Sequence, residues 1–304
     1  MKLSTTTLIG AMAISVAAIL WGFDGIVLTP RLYNLNITYV VFMVHCIPFL
    51  LLNFFCFRAY KELKSFSKTD FLYFFLIALF GGAIGTLAIV KALFLVNFQS
   101  LTVVVLLQKL QPVFAIILAA ILLKEKLHKG FVVWASVAIV ASYFLAFGFS
   151  LPDSHTGSRT TLAALFSLLA AFSFGSATVF GKKVLYKVDF VSATFFRYGF
   201  TSAIMLVIVL MTGSLIQLQH TTSQNWFILF FIAFTTGSGA LFLFYYGLRK
   251  VKAMIATICE LLFPVSAILF DYLFNGKVLT TIQWVSAIIL LMAIIKLSIR
   301  PNVD

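Results

Sequence analysis

The chemistry open to this chain lies in a few charged and polar side chains set within long apolar runs. Lys109 and Glu260 are the most demanding of them. A charge at the centre of a bilayer costs about 2.5–3.5 kcal/mol on insertion scales, so each needs a partner or a purpose. Lys109 stands ten residues into the apolar run 99–123, and Glu260 seven residues into 253–274. At 1.5 Å per helical residue they are about 15 Å and about 10 Å deep. An offset of 152 residues brings Gln108 onto Glu260, so Lys109 and Glu260 are one residue from equivalence and can pair. Two readings stay open: a cation that takes a solute carboxylate beside a carboxyl group that takes a proton, or an ion pair that only fixes packing.

Other groups surround this pair. Gln108 and Gln111 are three apart and share a helical face, with Pro112 adjoining. Pro112 and Pro264 each remove a backbone donor and free a carbonyl, which lipid tolerates only where a cavity or a polar group satisfies it. They mark a cavity or hinge, or a kink made for packing. Asp24 is three residues after Trp21, near the outer end of the first run, as a proton or cation site, an outer gate, or an interfacial carboxylate. Arg197, near the inner end of run 191–212, either attracts a carboxylate or snorkels to the interface. His45, midway along 36–57, is a proton relay or a satisfied polar contact. The candidates for solute binding are Lys109, Gln108, Gln111, Trp21 and Arg197. Those for ion or proton coupling are Glu260, Asp24 and His45. No catalytic residue, cofactor or metal site is expected: Cys46, Cys56 and Cys259 form no CxxC pair, and His128, His155 and His220 are scattered in loops.

The elements that position these groups follow from composition. Of 304 residues 62% are hydrophobic and 10% charged, against roughly 25% charged in soluble domains. About 20 apolar residues cross a bilayer, and ten such runs are legible: 7–28, 36–57, 71–91, 99–123, 130–150, 160–181, 191–212, 226–247, 253–274 and 281–298. The first run resembles a signal peptide but is long enough to span, and is read as a retained helix. With the N-terminus inside, inner segments carry 16 of the 22 lysines and arginines, outer segments 4, and two lie within spans. That asymmetry predicts ten spans with both termini cytoplasmic. It also explains the net charge of +13 without nucleic acid, because the basic residues cluster between spans.

The chain also repeats. At an offset of 152, Pro112 falls on Pro264, Val113 on Val265, Ala115 on Ala267 and Gly85 on Gly237; at 153, Gly22 falls on Gly175 and Tyr33 on Tyr186. Two halves of five helices, 1–151 and 158–300, are predicted. An odd number per half inverts the second, an arrangement that places a solute site near the midplane. Gly81 and Gly85 form a small-xxx-small pair that lets the third helix pack closely. The fold class is therefore an all-α integral membrane protein of ten transmembrane helices in two inverted repeats.

Leu20-Trp21-Gly22 resembles the signature that opens the EamA-type half of the drug/metabolite transporter superfamily. Leu107 to Phe114, followed by Leu122 to Leu127, resembles its fourth helix, with a mid-helix proline and a glutamate, Glu125, closing the cytoplasmic end. Leu261 to Val265 resembles the ninth helix, and Phe195-Phe196-Arg197 the seventh. Lys277 departs from the second-half glutamate, and His45, Asp24, Lys109 and Glu260 are also unusual. The resemblance implies a secondary transporter in the cell (inner) membrane. It is expected to work by alternating access, with a proton or other ion coupled, as a monomer or homodimer. Lys109 points to an amino acid or related carboxylate-bearing compound. The alternatives are a carrier of nucleosides, sugars or drug-like compounds, a polytopic membrane enzyme, and a channel or sensor.

Overall fold

The computed structural model describes residues 5–95, 107–108, 110–149, 158–276, 278 and 280–299. Lys109 and Lys277 lie outside the described residues. Among those described there is helix and no strand. Numbered in chain order, seven helices are long and apolar enough to cross a membrane: α1 (Thr5–Leu32), α2 (Ile37–Ser65), α3 (Lys68–Ala92), α6 (Thr161–Val184), α7 (Phe190–Met211), α8 (Ser223–Lys250) and α9 (Ala253–Asn275). Three shorter apolar helices are α4 (Gln111–Leu122), α5 (Lys129–Leu145) and α10 (Thr281–Leu297). All ten apolar runs thus hold helix. The run 99–123 yields only the short α4, since its first residues fall outside the described set.

Large apolar side chains face outward. Phe54 is 78% exposed, Phe55 81% and Met211 82%. In water such a surface would be a sticky patch; against acyl chains it costs nothing. Helix ends carry the polar chemistry. Ser67 and Asp70 form a capping box at the start of α3, and Thr222 and Asn225 form one at the start of α8. Asp189 caps α7 by accepting from Val191 N at 2.7 Å and Ser192 N at 3.3 Å. These caps satisfy first-turn amides that would otherwise meet the interface unpaired.

Two polar stretches read from sequence as loops are partly helical. Phe57–Ser65 continues α2 as a 3-10 helix, because Ala59 and Leu63 pack into the core. Ser214–His220 forms a second 3-10 helix. At the other end of the scale, α1 outruns residue 28 through a π turn, Asp24–Leu28, and a 3-10 turn, Thr29–Leu32, around Pro30.

The helix pairings recur at the sequence offset. α1 packs on α8 and α9, α6 packs on α3 and α4, α2 on α7 and α5 on α10. Small residues make the closest approaches. A Cβ on Gly22 would lie 3.1 Å from Phe263 O and 3.0 Å from Ala267 N; one on Gly175 would lie 2.9 Å from Gln111 O and 3.0 Å from Ala115 N. Both partners of Gly175 are the partners of Gly22 displaced by 152 residues. Gly10 meets Gly247 between α1 and α8, and Ala92 meets Ala163 between α3 and α6. Gly81 and Gly85 both lie against α6, at Ala177 and Phe174. Lys187 pairs with Asp70 at the start of α3, and Asn34 donates to Asn225 at 3.0 Å at the start of α8. Mid-helix π turns sit at Ala78–Ile84 in α3 and Ala233–Gly237 in α8.

Candidate functional site

The helices break where the prolines predict. α9 consists of Ala253–Cys259 and Leu262–Asn275, with Glu260 and Leu261 between. Pro264 cannot donate to Glu260 O, and that carbonyl accepts instead from Phe263 N at 3.0 Å. In the run containing Pro112 the same tightening appears: Leu110 N donates to Leu107 O at 3.1 Å and Val113 N to Leu110 O at 2.9 Å. α4 then starts at Gln111. Gly22 and Gly175 seat α1 and α6 directly against these breaks.

Glu260 projects from its break toward the other. Gln111 Nε2 donates to Glu260 Oε2 at 2.8 Å, and Thr178 Oγ1 from α6 approaches Oε1 at 3.2 Å. The same hydroxyl lies 3.2 Å from Phe174 O. A hydroxyl has one proton for these two acceptors. Both contacts are satisfied at once when Glu260 is protonated at Oε1 and donates to Thr178, which donates to Phe174 O. The expected pairing of Glu260 with Lys109 falls on a residue outside the described set. Gln108, on the same break, has no hydrogen-bond partner among the described residues.

A second cluster stands across the interior. Arg197 of α7 lies over the Tyr245 ring of α8 at 5.6 Å and donates from Nη1 to its hydroxyl at 3.3 Å. Gly81, in the π turn of α3, admits the guanidinium: a Cβ there would be 3.1 Å from Nη2. Arg197 Nε is buried and has no partner among the described residues. The arginine therefore points into the protein, toward Tyr245 and Gly81. It is within electrostatic reach of Glu260 and of His45. His45 Nδ1 is 2.8 Å from Val41 O, so this nitrogen carries the proton, a carbonyl being an acceptor only. Its ring packs on Tyr198 at 5.8 Å.

Trp21 packs on Phe244 at 5.4 Å, and Phe244 on Tyr245 at 5.8 Å, which links α1 to the arginine. Asp24 accepts from Thr29 Oγ1, in the 3-10 turn that follows its π turn, at 3.0 Å. Trp21, Asp24, His45, Gln111, Arg197 and Glu260 are all half-buried. A cavity of about 300 Å³ lies between the C-terminal ends of α1 and α9, lined by Ile26, Val27, Pro30, Arg31, Phe274 and Asn275. It begins two residues beyond Asp24.

The structure thus joins Gln111 to Glu260, and sets Arg197 near both Glu260 and His45. Asp24, toward the C-terminal end of α1, is within electrostatic reach of Tyr198, on which His45 packs. Sequence reasoning missed Thr178, Tyr245 and Tyr198. The one available signal was position: Thr178 is three residues, less than one helical turn, after Gly175, the residue matched to Gly22. Among the described residues no three acids, histidines or cysteines gather as metal ligands.

The EamA-like transporter family model matches residues 8–147 and again 161–299. A protein named riboflavin transporter ImpX, from Fusobacterium nucleatum subsp. nucleatum, is 52% identical over 290 residues, covering 95% of this chain and 97% of that one. A solved crystal structure superposes on 96% of both chains with a TM-score of 0.69 at 15% identity, a likeness of fold. The chain belongs to the EamA-like transporter family of the drug/metabolite transporter superfamily: it is a multi-pass membrane transporter of a small metabolite and not an enzyme.

Proposed function

We propose that this chain carries riboflavin, or a flavin close to it, across the cytoplasmic membrane by alternating access. The observation that carries the reading is the 52% identity, across 97% of its length, to a protein named as a riboflavin transporter. The architecture we propose has ten spans in two inverted halves, 1–151 and 158–300, with both termini cytoplasmic. Supporting it are the double family match, the recurrence of the Gly22 and Gly175 contacts, the paired capping boxes at α3 and α8, and the 16-to-4 basic asymmetry.

Riboflavin is uncharged near neutral pH, so its binding needs hydrogen bonds and ring contacts rather than ion pairs. Its pyrimidine edge presents acceptor, donor and acceptor in turn. Gln111 and Arg197 supply donors for the two carbonyls, and the Glu260 carboxylate supplies the acceptor for the N–H between them. Trp21 and Phe244 offer the aromatic face. A protonated Glu260 closes onto Thr178 and Gln111, and a deprotonated one is free to accept from cargo. Proton release and cargo binding are then linked at one carboxyl group, and Glu260 is the proposed coupling residue. Asp24 and His45 are second candidates.

The unpartnered Nε of Arg197 favours a second reading, an anionic solute such as the amino acids expected from Lys109. Expression in a bacterium that cannot make riboflavin separates the two. Growth at a riboflavin concentration too low for the untransformed strain, with uptake of labelled riboflavin undiminished by excess amino acids, supports the flavin. No gain in growth or uptake, with uptake of a labelled amino acid instead, supports the second.

A further inference from the structure

Two buried charges at the inner ends of the helices take no part in the site. Glu125, just beyond α4, is 8% exposed, and Lys182, in the last turn of α6, 7%. Glu125 accepts from Ala253 N at 2.7 Å through Oε1 and from Met254 N at 3.1 Å through Oε2. It therefore caps the first turn of α9, whose own N-cap, Lys252, makes no side-chain cap. Lys182 Nζ donates to Leu248 O at 2.8 Å and Arg249 O at 3.2 Å, in the last turn of α8. The two charges grip either side of the α8–α9 turn and lie within reach of each other.

The backbone that aims Glu125 inward is strained. Lys124 has φ 55°, the one positive φ outside glycine among the described residues. A lysine holds that conformation only when its surroundings compel it. Here Lys124 follows the C-cap of α4, and Glu125 N reaches back across it to Ala119 O at 3.2 Å, a helix-ending turn that sets Glu125 facing α9. A left-handed helix end at a lysine, a cap borrowed from 128 residues away and contact between the proposed halves make this turn a joint between them.

We propose that Glu125 is the inner gate: its carboxylate locks the end of α4 onto the start of α9, and the lock must open for cargo to cross the cytoplasmic side. The inference rests on alternating access but not on the identity of the cargo.

Cys259 is a native reporter, 1% exposed and adjacent to Glu260 at the α9 break. With Cys46→Ala and Cys56→Ala it is the single thiol. In inside-out vesicles, a small charged methanethiosulfonate applied to the cytoplasmic face reads the gate. Glu125→Gln presents an amide N–H₂ to a backbone N–H and is expected to speed labelling roughly tenfold. Lys124→Gly removes the left-handed penalty, favours the closed lock and is expected to slow labelling roughly fivefold. Unchanged rates in both variants, or a change of the same sign in both, overturn the gate. A cross-link keeps the question open to a second answer should either variant insert poorly. Leu123 and Met254 pack in one cluster. Leu123→Cys with Met254→Cys, in a background lacking the native thiols, is expected to stop riboflavin exchange when oxidised and restore it on reduction. Riboflavin binding, followed by fluorescence quenching, should persist throughout. Exchange by the oxidised form overturns the gate. A wild type that binds no riboflavin, with labelling rates as expected, overturns only the flavin reading.

Discussion

Gly175→Ala and Gly22→Ala test the site through the backbone contacts at its two helix breaks. A Cβ on Gly175 would sit 2.9 Å from Gln111 O, 3.0 Å from Ala115 N and 3.3 Å from Phe114 Cβ. An ordinary C···O approach is about 3.3–3.6 Å. The atoms met are backbone, so no side chain can swing away, and α6 must retreat from α4 by roughly half an ångström. A gap of that order forfeits about a quarter of the dispersion well along the seam, and overpacking of this kind costs about 1–3 kcal/mol. The retreat also pulls Thr178 from Glu260, whose contact of 3.2 Å has no slack. Gly22→Ala collides first with the Ser266 hydroxyl, which must turn away from Phe263 O, and then meets Ala267 N at 3.0 Å and Phe263 O at 3.1 Å, so it should lose at least as much stability. We expect each to insert, to unfold several degrees lower in detergent, and to exchange riboflavin at least tenfold more slowly. Gly25→Ala is the control, because its Cβ would find nothing closer than 3.8 Å. Wild-type melting and exchange in both Gly22→Ala and Gly175→Ala would refute the packing argument and the pairing of the two positions.

Two further outcomes are expected. Uptake by the wild type should follow an imposed pH gradient, whereas Glu260→Gln should exchange cargo and ignore the gradient; a gradient-blind wild type contradicts proton coupling at Glu260. A cytoplasm-dependent reporter should be active when fused after residue 66, 127, 186 or 304 and silent after 155 or 221, and an outside C-terminus contradicts the ten-span topology.

Much of the frame was legible because membrane insertion leaves strong marks. Apolar run length gave the helices, and Pro112 and Pro264 gave the breaks, since a missing donor in lipid has few remedies. Glu260 was found because a charge in such a run is costly. Arg197 could be placed in a helix but not aimed, because its alternatives differ only in side-chain direction. Thr178, Tyr198 and Tyr245 escaped notice for a related reason: hydroxyls can satisfy themselves on their own helix, as Thr194 does on Phe190 O. The π turns of α1, α3 and α8 have no propensity signature. The partner of Glu125 lies 128 residues away, a pairing that spacing along one helix cannot express.

The central claim is that this chain moves a flavin, and reconstitution tests it most directly. Purified protein in liposomes preloaded with unlabelled riboflavin should accumulate labelled riboflavin transiently and saturably. Excess external riboflavin should abolish the signal, and amino acids should leave it intact. Liposomes that show no protein-dependent flavin counterflow, while the same protein exchanges another solute, would contradict the account.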